Sequence, residues 1–166
     1  GAIELQIKAF RGGLGVFVDD AMRAKLRKCC TVGHMQILLC GALEIDVIDW
    51  ETSTATVGFA DDSNTVRWFW AFVNAMSEGE RSTLLHFCTG SARAPAAGFG
   101  SLMGYNGQQH RFTMQYMAGG ADRLPTASTC FNTLNLPEYE NERQFKAKLL
   151  LALSGGVGFH EGVVAV

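Results

Sequence analysis

The feature that most constrains this chain is a change of hydrophobic period along it. Up to Gly90 apolar residues recur mostly at helical spacing. Phe112 to Met117 and Phe131 to Leu136 alternate as strands do, and helical spacing returns from Asn141 to Leu153. Both periods in one chain predict an α+β protein. In the second strand, alternation puts Phe131, Thr133 and Asn135 on one side and Asn132, Leu134 and Leu136 on the other, and Pro137 ends it. With 166 residues, 48% hydrophobic and 18% charged, there is material for one ordinary domain or two small ones.

The first third reads as short helices. Ile3, Ile7, Phe10 and Leu14 mark one face, and Met22, Leu26 and Cys29 mark another behind the cap candidates Asp19 and Asp20. Thr31 can cap a third helix that stops at Gly41. Asp46 to Asp49 forms an amphipathic stretch beside Trp50, periodicity is lost over Glu51 to Thr56, and Gly58 to Ser63 is the linker candidate. Beyond it Val66, Phe69, Trp70 and Val73 share a helical face. Ser77 and Glu80 match a capping box, and Leu84, Leu85, Phe87 and Cys88 follow in a helix ending at Gly90. Ser91 to Gly107 reads as a loop held down by Phe99, Leu102 and Met103. The last helix turns Phe145, Leu149, Leu150 and Leu153 inward.

Composition excludes several functions. A net charge of -2 offers no basic footprint for nucleic acid and no polybasic anchor for lipid, so neither is an expected partner. No apolar run approaches the ~20 residues needed to cross a bilayer, and Gly1-Ala2-Ile3-Glu4 shows no secretory signal. Five cysteines, an odd set with no C-x-x-C pair, argue against a disulfide scaffold or structural zinc, and the four histidines are widely spaced. The expectation is a protein of the cytosol or nucleus that holds no metal.

One cysteine stands apart. In Arg123-Leu124-Pro125-Thr126-Ala127-Ser128-Thr129-Cys130-Phe131-Asn132, Cys130 ends a loop of small and polar residues just before a strand, where a thiol can be exposed on rigid support. Free cysteine is otherwise among the most buried residue types, and each of the other four lies within or beside an apolar helical pattern.

The run from Leu124 to Tyr139 resembles the active-site signature of HECT ubiquitin ligases. Further blocks agree in order: Trp68-Phe69-Trp70, Glu80 to Gly90, Pro95-Ala96-Ala97-Gly98-Phe99 and Gly158-Phe159. Gly41 to Asp49 resembles the Asp-rich link of the family's larger lobe. The resemblance implies that residues 1–60 are the helical end of that larger lobe. It implies that 61–166 are the smaller lobe, with helices on a small mixed sheet, and that a hinge lies near 60–64. It further implies that Cys130 accepts ubiquitin from a conjugating enzyme as a thioester and passes it to a substrate lysine, with no cofactor. Leu124, Pro125, Thr126, Thr129, Phe131 and Asn132 would support the loop. Thr129 would bond the thiol or developing oxyanion, Phe131 would anchor in the core, and Asn132 would brace the backbone. Phe159 and Glu161 would supply the tail's contribution.

Many family members have a histidine where this chain has Ser128, so any local imidazole must come from elsewhere, His110 or His160 being the alternatives. Two other readings fit the thiol: a cysteine hydrolase, which does not account for the block order, and an inactive fragment serving as a ubiquitin- or partner-binding module.

Overall fold

The computed structural model describes residues 2–42 and 44–156. Residues 1–39 and 40–166 form two separate compact units. The first holds helices α1 (Ala2–Phe17) and α2 (Asp20–Cys29) and most of α3 (Val32–Cys40). Local chemistry sets their starts: Asp19 accepts from the Met22 amide at 2.7 Å and Thr31 Oγ1 from the His34 amide at 3.2 Å. No described residue from 3 to 40 is buried.

The second unit has α4 (Val47–Thr52), β1 (Ala55–Val57), α5 (Asn64–Ala75), α6 (Glu78–Thr89), β2 (Thr113–Tyr116), β3 (Thr126–Ser128), β4 (Thr133–Leu136) and α7 (Glu142–Gly156). The strands form one mixed sheet in the order β1-β2-β4-β3. Ala55 pairs with Thr113 and Thr113 with Thr133 in parallel, and Ala127 pairs with Leu134 antiparallel. Alternation gives the sheet a buried face of Met114, Leu134 and Leu136, against which α5, α6 and α7 contribute Phe69, Val73, Leu84, Leu85, Phe145 and Leu149 to one core. This is the α+β arrangement the periods predict.

The compact unit begins well before the expected boundary at 60/61, and Trp50 explains why. Trp50 is fully buried. It stacks on Phe99 at 4.9 Å and meets Phe112 and Trp70 edge-on at 5.4 and 6.0 Å. Its Nε1 has no partner among the described residues, so ring contact and apolar burial hold it. One residue earlier, Asp49 accepts from the Phe99 amide at 2.7 Å. A Cβ on Gly98, whose φ is +85°, would stand 2.8 Å from that carboxylate, so the approach requires glycine.

The expected hinge segment is likewise part of this unit. Ser63 caps α5 at the Val66 amide and donates its hydroxyl to Glu138 Oε1 at 2.7 Å, while Thr65 Oγ1 accepts from the Tyr139 amide. Rotation at 60–64 would separate β1 from β2 and Trp50 from its rings, so the turn there is a structural joint within one body.

Smaller corrections concern exposure. Met103 is 56% exposed and does not hold down its loop, and Leu150 is 50% exposed because α7 buries Phe145, Leu149, Ala152 and Leu153 instead. Strands β1 and β3 were absent from the sequence pattern. The Ser77–Glu80 capping box is formed, and Gly90 ends α6 in the left-handed conformation.

Two measurements test this packing. Trp50→Ala is expected to cost about 3–5 kcal/mol of unfolding free energy in denaturant titration of the protein, as for other fully buried tryptophans. Hydrogen bonds from the Ser77 hydroxyl and amide hold the Glu80 carboxyl below its ordinary value of 4.5. A lowered carboxylate stabilises the fold above its unfolded value and ceases to as acid protonates it in the folded state. The gap in thermal midpoint between the parent and Glu80→Ala should therefore be full above about pH 4.5 and close as pH falls further.

Candidate active site

Strands β3 and β4 are joined by four residues, and the Ser128–Thr133 pair closes the connection. Within it Thr129–Phe131 makes one turn of 3-10 helix, and Asn132 ends that turn at φ 48°, ψ 40°. Asn132 is the one non-glycine residue with positive φ among those described. Asparagine tolerates this region better than most residues because its short polar side chain finds local partners.

Here those partners are specific. The Asn132 side chain is 2% exposed, and its Nδ2 donates to the carbonyls of Met103 at 3.1 Å and His110 at 2.9 Å. The Asn132 carbonyl accepts from the Thr113 amide at 3.0 Å. The Tyr105 amide in turn donates to the carbonyl of Cys130 at 3.1 Å. A Cβ at Gly104 would lie 3.3 Å from that same carbonyl oxygen and 3.2 Å from the His110 Cβ, so the 99–110 segment and the turn pass each other closely.

The consequence is a fixed backbone with a free thiol. Cys130 is exposed. Cys88 on α6 offers the contrast: it is fully buried, and that burial pushes its thiol well above the ordinary range, so it stays protonated and inert. Cys29 and Cys40 are also exposed, but they end helices α2 and α3 rather than standing on a turn between strands.

The sequence-expected neighbours fall in different places. Pro125 is buried, while Leu124, Thr126 and Thr129 are exposed. Thr126 accepts from Asn135 Nδ2 through both its carbonyl and hydroxyl, and the Tyr139 hydroxyl donates to Arg123 O at 3.1 Å, fixing the approach to β3. Burial pushes that Tyr139 hydroxyl up to about 12, so it remains a donor. Thr129 makes no side-chain hydrogen bond with the described residues and faces the end of α6, its Cβ 3.9 Å from where Gly90 would carry one. Phe131 is not a core anchor. It is 47% exposed, with Tyr105 edge-on at 5.4 Å and the His110 ring at 5.8 Å. It stands on the sheet's outer face, where Ser128, Thr113, Gln115, Thr133 and Asn135 line an open cleft of about 290 Å³. Phe159, His160 and Glu161 lie outside the described residues.

Sequence reasoning missed Gly104, Tyr105 and the carbonyls of Met103 and His110. A glycine-rich loop signals only that the backbone turns, and a brace made by backbone groups leaves no mark in side-chain pattern. Among the described residues, no cluster of His, Cys, Asp and Glu is placed to hold a metal ion, and no helix is long and apolar enough to cross a membrane.

Asn132→Asp tests the brace, because it keeps the shape but sets a carboxylate against two carbonyl oxygens. The expected loss is about 1–3 kcal/mol or more in denaturant unfolding, and Asn132→Gly, which keeps only the backbone preference, should also be destabilised.

Comparison with known proteins shows what the chain as a whole is similar to. The family model described as HECT-domain (ubiquitin-transferase) matches residues 1–161. The E3 ubiquitin-protein ligase HACE1 of Xenopus laevis is 40% identical over 156 residues, covering 93% of this chain and 16% of that protein. Its human counterpart is 38% identical over the same length, covering 17% of that protein. The E3 ubiquitin-protein ligase ptr1 of Schizosaccharomyces pombe is 36% identical over 155 residues, covering 5% of that protein. The chain thus spans well under a fifth of the length of these relatives.

Proposed function

The chain belongs to the HECT-domain family, and from that premise we propose that it carries the acceptor thiol of a ubiquitin ligase, Cys130. The observation that supports this reading above the others is an exposed thiol on a turn whose backbone is tied on both sides, by Tyr105 to Cys130 O and by Asn132 to Met103 and His110. Partners on this reading are ubiquitin, a conjugating enzyme and a protein substrate, met in the cytosol or nucleus.

The chemistry is two acyl transfers. Cys130 sulfur, as thiolate, attacks the thioester carbonyl that joins ubiquitin to the conjugating enzyme. A new C–S bond forms, the old one breaks, and the departing sulfur takes up the proton that Cys130 lost. A neutral lysine amine then attacks the acyl group on Cys130, the C–N bond forms, Cys130 leaves as thiolate, and the nitrogen gives up one proton to water. Thioester exchange is close to balanced and needs no metal or cofactor, since a cysteine is already a few per cent thiolate at neutral pH. What the protein must supply is approach. A side chain standing clear of the surface on a stiff turn meets large partners without the entropy cost of ordering a loop at each encounter.

The reading also assigns the roles around it. Pro125 and Thr126 seat β3, Asn132 holds the turn, and Phe131 offers apolar surface on the turn that carries the thiol. Phe159 and Glu161 act in the lysine step. The rotation that lets one thiol meet two partners in succession falls upstream of Ile45 rather than at 60–64, because Trp50 and β1 belong to the body that would move.

The test uses the full-length protein with activating enzyme, conjugating enzyme, ATP and ubiquitin, followed by non-reducing electrophoresis. A reductant-sensitive ubiquitin adduct is expected on the parent. It should be lost in Cys130→Ala, turn reductant-resistant in Cys130→Ser, and persist in Cys88→Ala. A folded parent protein without the adduct would overturn the reading and leave the binding module. Release of free ubiquitin from conjugates with no conjugating enzyme present would point to a hydrolase.

A further inference from the structure

Of the side chains that wall the cleft beside the acceptor turn, His110 carries the one imidazole. Its backbone is fixed on both sides: its amide donates to Leu102 O at 2.8 Å, and its carbonyl receives Asn132 Nδ2 at 2.9 Å. Its ring stands 5.8 Å from that of Phe131. A single point, the Cβ position at Gly104, lies 3.2 Å from His110 Cβ and 3.3 Å from Cys130 O, so the imidazole rises from the root of the turn that carries the thiol.

The two ring nitrogens differ. Nδ1 is buried and has no hydrogen-bond partner among the described residues, whereas Nε2 is not among the buried unpartnered atoms. A neutral imidazole holds one N–H and one lone pair. Native structures leave acceptors unpartnered more readily than N–H groups, so the lone pair belongs at dry Nδ1 and the proton at Nε2. A proton-accepting role at Nε2 would demand the reverse, an N–H pressed against the dry wall. His110 thereby keeps Nε2–H as its donor at the wall of the cleft.

Building on the acceptor role of Cys130, we propose that His110 is a further catalytic residue whose Nε2–H donates to the carbonyl oxygen of the acyl group carried on Cys130. In each transfer the incoming electron pair forms a bond to the carbonyl carbon, and the C=O pair moves onto oxygen. That pair then returns to expel sulfur. The imidazole gives up no proton. It meets the charge that oxygen gains, and because its backbone is already tied down, little reorganisation is needed as that charge develops. Any carbonyl attacked at Cys130 benefits, whatever the nucleophile.

That last property makes the test selective. Full-length protein is loaded with ubiquitin at Cys130, freed of conjugating enzyme, and discharged either to free lysine or to hydroxylamine, which needs no base because it is unprotonated at neutral pH. His110→Phe keeps a ring beside Phe131 but removes the donor, and should slow both discharges alike by about 100-fold. His110→Gln, which retains an amide donor, should keep most of the rate, with the pH dependence of discharge unchanged in shape.

Slowing with lysine but not hydroxylamine would overturn the donor role in favour of a base, and unchanged rates in both would overturn it outright. A loss in His110→Gln as large as in His110→Phe, accompanied by a lower unfolding midpoint, would make the residue structural and also overturn it. Absence of the adduct on the parent protein overturns the acceptor reading and this one together.

Discussion

The amide of one buried asparagine holds the candidate site together. Asn132 Nδ2 bridges two carbonyls that belong to a different part of the chain, and the left-handed backbone of the same residue turns the chain from the 3-10 turn into β4. Either task alone could be met otherwise: glycine could make the turn, and another donor could satisfy a carbonyl. Doing both at one position couples the shape of the turn to the docking of the 99–110 segment, and Cys130 lies between the residues so coupled. The site is therefore a property of two segments, and its rigidity comes from the sheet on one side and from that segment on the other.

Behind the turn, the sheet divides the chemistry by alternation. Met114, Leu134 and Leu136 face a core shared with the helices, while Thr133, Asn135 and Thr113 face the cleft. The core supplies stiffness and the outer face supplies polar surface, and neither has to serve the other's purpose. Trp50 extends that core toward the start of the chain, where its stack on Phe99 and the Asp49 bond to the Phe99 amide anchor the loop that later reaches Cys130. Support for the thiol thus begins at residue 49.

Period and punctuation made the long elements readable. The helices from Ala2 onward, the Ser77–Glu80 box, the left-handed stop at Gly90 and strands β2 and β4 all follow from local rules that act within a few residues. Strands β1 and β3 did not. Each is three residues long, and such a segment becomes a strand because a partner is present, which no window of sequence contains. The exposed positions of Phe131, Met103 and Leu150 were hidden for a related reason: an apolar residue declares a preference for burial, but the number of faces available to satisfy it is set by the packing. Cys130 was visible as an unusual cysteine and became a strong candidate only through resemblance. Its bracing, made almost wholly of backbone carbonyls and amides, was invisible. That the compact unit starts before Trp50 could not be read locally, because the rings that pack on Trp50 come later in the chain.

The hydrogen bonds from Ser63 to Glu138 and from the Tyr139 amide to Thr65 join positions 75 and 74 residues apart. During synthesis the start of α5 would leave the ribosome long before the segment that satisfies it, and contacts of such wide separation form late because the loop between them must first close. The segment just before Glu138 is β4, the strand onto which the Cys130 turn is built. A nascent lobe therefore has α4, α5 and α6 before its reactive geometry, so a chain cut short before β4 would carry helices without an ordered thiol.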